Sequence, residues 1–339
     1  MAMTHSTQII ATLGPASSTP QIIEQLINAG ANIFRLNFSH GSLEGHQANI
    51  DTVRHLARQL NVDVKILQDL PGPKLRIGRF ENDAIDITPG QQFTLDLNED
   101  LGNEHRVQLP HPEILQALKV GSDVLLNDGN VKLKVMQTSA SQCVTTVVYG
   151  TKLSNNKGVN IPDIILPIDA ITAKDQEYIQ FGLRNNVDYI ALSFVQSGHD
   201  VQMGRNLIGH NAKIITKIEK PFAVKNLTEI VALSDGIMVA RGDLGVEMNI
   251  AQLPVIQRHI ITACKAAKKP VFVATQMLES MITNPTPTRA EVNDIACAVY
   301  AYADAVMLSA ESASGAYPVE SVAMMKQVIH FTEIDRATV

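Results

Sequence analysis

The 339-residue sequence has no apolar run near the roughly 18 residues a membrane helix needs, and its first residues, Met1 to Gln8, lack an apolar signal core. A membrane span and a secretory leader are not expected, and a soluble cytoplasmic protein is. Cysteine is scarce: Cys143, Cys264 and Cys297 lie far apart without a CxxC pair. That spacing excludes a disulfide framework and a zinc site and suits a reducing cytosol, with the thiols as small buried hydrophobes. Positive charge is also short, with 28 Lys and Arg against 34 Asp and Glu, a net charge of −6. Nucleic acid and membrane surfaces are therefore poor partners, although a local basic pocket for phosphates is still allowed. There is no tandem repeat and no low-complexity tract.

What is present is ordinary globular material, 45 % hydrophobic and 18 % charged, in a chain too long for one simple core. Short β-branched runs recur at Ile9–Ala11, Ile33–Leu36, Val64–Leu67, Tyr189–Leu192, Lys213–Ile218, Gly236–Val239, Val271–Ala274 and Ala305–Leu308. Apolar residues on both faces mark strands of a buried parallel sheet. Between them the helical period returns at Pro20–Ala29, Leu43–Leu60, Ala173–Asn185, Asp200–Ile208, Phe222–Leu233, Leu253–Ala267, Arg289–Tyr300 and Val319–Ile334. Thr172, Thr288 with Glu291, and Pro318 supply start signals. Eight strand–helix pairs predict an α/β fold, a (β/α)₈ TIM barrel.

From Gly72 to Pro162 the rhythm breaks. Only Pro112–Leu118 reads as helix there, whereas Val131, Leu133 and Val135 alternate with lysines, Asn127–Asn130 reads as a turn, and Cys143–Tyr149 as a further strand. The expected organisation is a first barrel part (1–71), an inserted small β-barrel-like lid (72–162) and a second barrel part (163–339).

Polar residues gather where strands end, which is where barrel enzymes keep their catalytic groups. These ends carry Arg35, Asn37, Ser39, His40, Asp69, Ser193, Lys217, Glu219, Arg241, Gly242, Asp243, Thr275 and Ser309. Glu219 and Asp243 follow successive strands and suit Mg²⁺, with phosphate oxygens and water completing the shell. Lys217 shares the parity of Glu219 and so can aim an ammonium at a phosphoryl group. A salt-bridged barrel interior is the alternative at this point. The Ala240–Gly245 segment is either an anion-binding turn or ordinary loop, and Thr12–Ser18 either a phosphate turn or a helix cap.

Together these segments resemble the pyruvate kinase family. Ile10–Ser17, Arg35–Gly41, Ile214–Glu219, Ser234–Glu247, Ala274–Ile282, Pro287–Glu291 and Met307–Glu311 match its motifs in order, within a likeness spanning Gln8 to Ile334. The resemblance implies transfer of a phosphoryl group from phosphoenolpyruvate to ADP, giving pyruvate and ATP in glycolysis. It implies that Arg35 contacts the phosphoryl group and Lys217 stabilises the transition state. Glu219 and Asp243 would hold Mg²⁺ (or Mn²⁺), and Arg241–Gly242 backbone with Thr275 would grip the substrate carboxylate. Ser193 and Asp243 count among the substrate contacts, and Thr275 with Ser309 lies where the enolate carbon is protonated. Asn37, His40, Arg76 and Lys157 match positions near the nucleotide.

Two departures from the family pattern carry expectations. Many members hold K⁺ with groups matching Asn37, Ser39, Asp69 and a threonine; here Leu70 replaces the threonine and Lys74 a glutamate. K⁺-independent activity is expected. After Val319–Ile334 few residues remain, so the family's C-terminal regulatory domain is expected to be absent. A fructose bisphosphate response would go with it, leaving a monomer or a homodimer through the barrel. A Mg²⁺-enolate lyase on a related barrel would not need the insert, Arg76 or Lys157. A non-catalytic relative would not need Arg35, Lys217, Glu219, Asp243 and Thr275 intact.

Overall fold

The computed structural model describes residues 6–162 and 164–338; the expected limits at residues 1, 163 and 339 fall outside the described residues. Eight parallel strands close on themselves: Gln8–Leu13, Ile33–Asn37, Lys65–Asp69, Tyr189–Leu192, Lys213–Ile218, Gly236–Ala240, Val271–Ala274 and Ala305–Leu308. Closure comes from the first strand pairing with the eighth, Gln8 opposite Ala305 and Ala11 opposite Leu308. The continuous apolar runs follow from this closure, because each strand is buried on both faces. Ile10, Ile33, Leu67, Ala191, Ile215, Met238, Phe272, Ala305 and Met307 fill the inside of the barrel. Their strand neighbours, such as Ile9, Phe34, Ile66, Ile190 and Ile214, pack outward against the helices.

The helix starts behave as expected. Thr172 with Asp175, and Thr288 with Glu291, close reciprocal capping boxes, each contributing about 1 kcal/mol. Two expectations need correcting. Phe222–Leu233 is not one helix but two, Pro221–Lys225 and Leu227–Leu233. Asn226 interrupts them with its side-chain amide bonded to the Gln196 carbonyl, an alternative to helical geometry that asparagine readily takes. Arg241–Glu247, open between an anion-binding turn and ordinary loop, is a short helix. Its two glycines cost about 1 kcal/mol each, and burial of Leu244 opposes that cost.

Between the third and fourth strands the chain leaves the barrel. Its insert forms a six-stranded sheet in the order Val159–Asn160, Asp123–Leu126, Val131–Thr138, Gln142–Tyr149, Gln92–Asp96 and Arg106–Gln108. Phe80, Phe93, Leu95, Val107, Leu133 and Val135 build a core of its own. The Asn127–Gly129 turn takes positive φ throughout, which explains its Asn-Asp-Gly sequence. Several of these strands are too short for their alternation to be read in sequence.

Candidate active site

Inside the barrel, side chains repeat every second residue. Each strand that fills the interior with an apolar group presents its next inward residue near the C-terminal mouth. Ile10 is followed by Thr12, Ile33 by Arg35, Leu67 by Asp69, Ala191 by Ser193, Ile215 by Lys217 and Glu219, and Met307 by Ser309. The polar rim is therefore the inward face of the same strands that make the core.

Lys217 is the centre of this rim. Its Nζ lies 2.7 Å from Glu219 Oε1 and 3.2 Å from Asp69 Oδ1, and donates to Ser193 Oγ at 2.8 Å. Arg35 binds the other Asp69 oxygen through Nε at 2.7 Å, and its Nη1 donates to Thr12 Oγ1 at 3.1 Å. All four charged side chains are nearly withdrawn from water. Burial disfavours the Lys217 ammonium, but Asp69 and Glu219 outweigh it and push its pKa up. Burial likewise works against the Asp69 carboxylate, yet Lys217 and then Arg35 hold it below the usual range. Burial raises Glu219; Lys217 opposes this and Asp243 adds to it. Lys217 is thus a fixed cation rather than a base, and Glu219 carries a cost of charge that Lys217 relieves only in part.

That cost makes the rim suitable for a divalent cation. Glu219 Oε1 is buried and lacks an aligned hydrogen bond, while Oε2 accepts from the Phe194 N–H at 2.8 Å. Asp243, half-buried in the first turn of Arg241–Glu247, acts electrostatically on Glu219. Two carboxylates from adjacent strand ends are a hard-oxygen donor set that fits Mg²⁺. Among the described residues no cluster of three or more His, Cys, Asp or Glu could hold a metal, so other ligands of such an ion would be water or substrate.

The loop after the seventh strand is strained. Thr275 and Gln276 sit at φ 73° and 53°, a region that costs a β-branched residue about 1–3 kcal/mol. Thr275 Oγ1 accepts from the Gly242 N–H at 2.7 Å and donates to the Ala274 carbonyl at 2.6 Å. The Arg241 guanidinium is spent on this loop. It pairs with Asp294 at 2.5 Å and donates to the carbonyls of Ala274 and Thr275. Ser309 lies at the end of the eighth strand, its N–H donating to Glu311 Oε2. Glu311, fully buried, also accepts from the Leu278 N–H and so braces two rim loops.

The candidate nucleotide residues fall into two pairs. Asn37 and His40 line a cleft of about 530 Å³ with Gly14, Pro15, His46 and Ser314. Arg76 lies in the insert and donates to the Asn156 carbonyl at 2.8 Å, beside Lys157. No hydrogen bond or ion pair among the described residues joins one pair to the other. At the candidate monovalent position, Asn37 Oδ1 accepts from the Ser39 N–H and Leu70 is buried. Lys74 is exposed and forms no ion pair among the described residues, so the cations that meet Asp69 are Arg35 and Lys217. A cleft of about 1130 Å³ lies at the other end of the barrel between Arg54, Arg58 and Arg184, and holds none of the rim residues.

Sequence reasoning did not single out Asp294, Lys220, Glu247 or Asn160. Lys220 and Glu247 form a buried ion pair that also takes the Asn160 amide. The available signal was position: Lys220 follows Glu219, and Glu247 stands one helical turn beyond Asp243.

Comparison with known proteins bears on the family of the whole chain. A family model described as the pyruvate kinase barrel domain matches residues 4–322. A pyruvate kinase of Methylorubrum extorquens is 49 % identical over 335 residues, covering 99 % of this chain and 70 % of its own length. One from Agrobacterium vitis is 47 % identical, with 96 % and 68 % covered. The crystal structure of a pyruvate kinase from Cryptosporidium parvum superposes with a TM-score of 0.94 at 37 % identity, over 98 % of this chain and 70 % of that one.

Proposed function

The chain belongs to the pyruvate kinase family, and on that premise we propose that its rim transfers a phosphoryl group from phosphoenolpyruvate to ADP. The observation that carries this reading is Lys217 Nζ, held within 3.2 Å of Asp69, Glu219 and Ser193 in the barrel mouth. The bond from phosphorus to the enol oxygen breaks, a bond to the terminal ADP oxygen forms, and the enolate carbon then takes a proton to give pyruvate.

Lys217 and Arg35 present two fixed cations to the oxygens of the transferring group, already oriented by Asp69 and Thr12. Positioned charge of this kind needs no reorganisation during the reaction. Glu219 and Asp243 are the residues that would hold Mg²⁺, or Mn²⁺ in its place; when bound, the ion supplies positive charge to the substrate carboxylate, enolate and phosphoryl oxygens. The backbone at Arg241–Gly242, with Thr275, grips the substrate carboxylate, and Ser193, bonded to Lys217, is a further substrate contact. Thr275 and Ser309, with water, deliver the proton to the enolate carbon. Asn37 and His40 take the nucleotide from the barrel side, and Arg76 with Lys157 from the insert, residues 72–162, which acts as a lid.

K⁺ independence belongs to the same proposal. The buried Leu70 side chain offers no ligand oxygen, and Asp69 already meets two protein cations. Lys74, exposed at the junction of insert and barrel, supplies the ammonium that replaces the ion. We place the enzyme in the cytoplasm, as a monomer or a homodimer through the barrel. The deciding experiment measures pyruvate formed from phosphoenolpyruvate and ADP with Mg²⁺, for the native protein and Lys217→Met. Turnover that disappears in the variant supports the assignment; no turnover in the native protein with Mg²⁺, Mn²⁺ or K⁺ sinks it.

A further inference from the structure

Lys220, Glu247 and Asn160 are buried, at 3 %, 5 % and 8 % exposure, and the phosphoryl-transfer scheme uses none of them. Lys220 Nζ pairs with Glu247 Oε1, and Asn160 Nδ2 donates to that same oxygen at 2.8 Å. A buried ion pair is costly to desolvate, so its place in the fold needs a reason other than stability. Its place is between the two segments that carry Glu219 and Asp243. Lys220 is the residue after Glu219, and Glu247 lies four residues beyond Asp243, on the same face of the Arg241–Glu247 helix. The pair therefore ties together the two segments that carry the carboxylates.

Asn160 brings in a third segment. It belongs to Val159–Asn160, the strand by which the chain leaves the insert, which pairs with Asp123–Leu126 inside it. The strand entering the insert is tied to the same place. The Leu70 carbonyl accepts from Ser193 Oγ, which accepts from Lys217 Nζ. Gly72 follows at φ 64°, where a Cβ would stand 2.8 Å from the Phe194 ring. Phe194 in turn donates its N–H to Glu219, and Lys220 Nζ lies 5.5 Å from its ring centre. Both connections of the insert thus end on groups bonded to Glu219 or on the helix that carries Asp243.

We propose that Asn160, Glu247 and Lys220 form a latch that couples the position of the insert to the separation of Glu219 and Asp243, and hence to divalent-cation affinity. Asn160 is a positioning residue in this scheme, acting through Glu247. The inference rests on Glu219 and Asp243 being the metal-binding pair. Coupling of this kind is reciprocal: if the latch raises metal affinity, the metal must tighten the latch.

The test is Mn²⁺ binding followed by the electron paramagnetic resonance of the free ion, with no substrate present. Asn160→Leu keeps the side-chain size and removes the donor. It is expected to weaken Mn²⁺ binding about tenfold at an unchanged number of sites. Mn²⁺ is expected to slow hydrogen exchange at residues 159–161 in the native protein and not in the variant. The double variant Lys220→Met with Glu247→Leu replaces the pair by apolar groups and is expected to weaken binding similarly, which covers a failure of the first variant to fold. Native affinity in either folded variant, or fewer sites of native affinity, overturns the latch. If Glu219→Gln binds Mn²⁺ as the native protein does, the metal-site reading falls, and the latch with it.

Discussion

Gly242 donates its N–H to Thr275 Oγ1 at 2.7 Å although Thr275, at φ 73°, occupies backbone space that threonine avoids. The strained residue is held from both sides, by Gly242 and by Arg241, whose guanidinium binds the Thr275 carbonyl and Asp294. Strain maintained in this way at a rim loop points to a placed hydroxyl. Thr275→Gly is expected to melt no lower than the native protein, because relief of strain offsets the lost hydrogen bond, while kcat falls at least about 100-fold. A fall in melting temperature with activity preserved would contradict this.

Lys217→Met leaves Asp69 and Glu219 with one cation fewer in a buried site, which costs about 3–5 kcal/mol when a partner is lost. The pH dependence has a definite sign. In the native protein the lowered Asp69 pKa gives stability present above its unfolded value and lost as pH falls through the folded one. The raised Lys217 pKa gives stability present below its unfolded value and lost as pH rises through the folded one. Between about pH 5 and 9 this pair is therefore flat. In the variant, burial raises the carboxyls, so its melting deficit is expected to shrink from pH 7 to pH 5. A deficit that grows on acidification would count against it.

Glu219→Gln and Asp243→Asn should each abolish tight Mn²⁺ binding by the apo protein, since each removes one of two anionic ligands. Dialysis against a chelator should leave the native fold intact, with melting shifted by only a few degrees, because Lys217 partly compensates Glu219 without a metal. Native Mn²⁺ titrations in either variant would remove that residue from the site.

The thiols test the fold directly. Burial pushes Cys143 up to about 11 and Cys264 up to about 12, whereas Cys297 is exposed. A disulfide reagent at pH 8 should titrate one thiol per native chain and three after unfolding. Rapid reaction of a second thiol would show that one of the two buried environments is wrong.

Leu70→Thr with Lys74→Glu restores a side-chain oxygen and removes the Lys74 ammonium. Turnover is expected to become K⁺-dependent, by tenfold or more in order of magnitude, while the native protein works equally in K⁺ and in a bulky organic cation. K⁺ activation of the native protein would refute the independence.

Much of this was open to sequence reading because it rests on local rules. Unbroken apolar strands give a buried parallel sheet, and period two puts Lys217 on the inward face with Ile215 and Glu219. Threonine caps placed two helix starts within a residue. The short insert strands stayed hidden because three residues, as in Arg106–Gln108, carry too little alternation to read. The Arg241–Glu247 helix was hidden by its glycines, whose low helix propensity is outweighed by burial of Leu244.

The sequence by itself determined which residues face inward, where strands end and which charges reach the mouth of the barrel, since backbone geometry repeats every two residues in a strand. Only closure of the barrel decided how those charges pair. Arg35 meets Asp69 and Lys217 meets Ser193 across neighbouring strands, and Arg241 turns away to Asp294. It also decided that Asn160, eighty-seven residues before Glu247, would bond to it. Such partners are chosen by distances between segments and by the cost of burying a charge alone, and neither is written in any local stretch of chain.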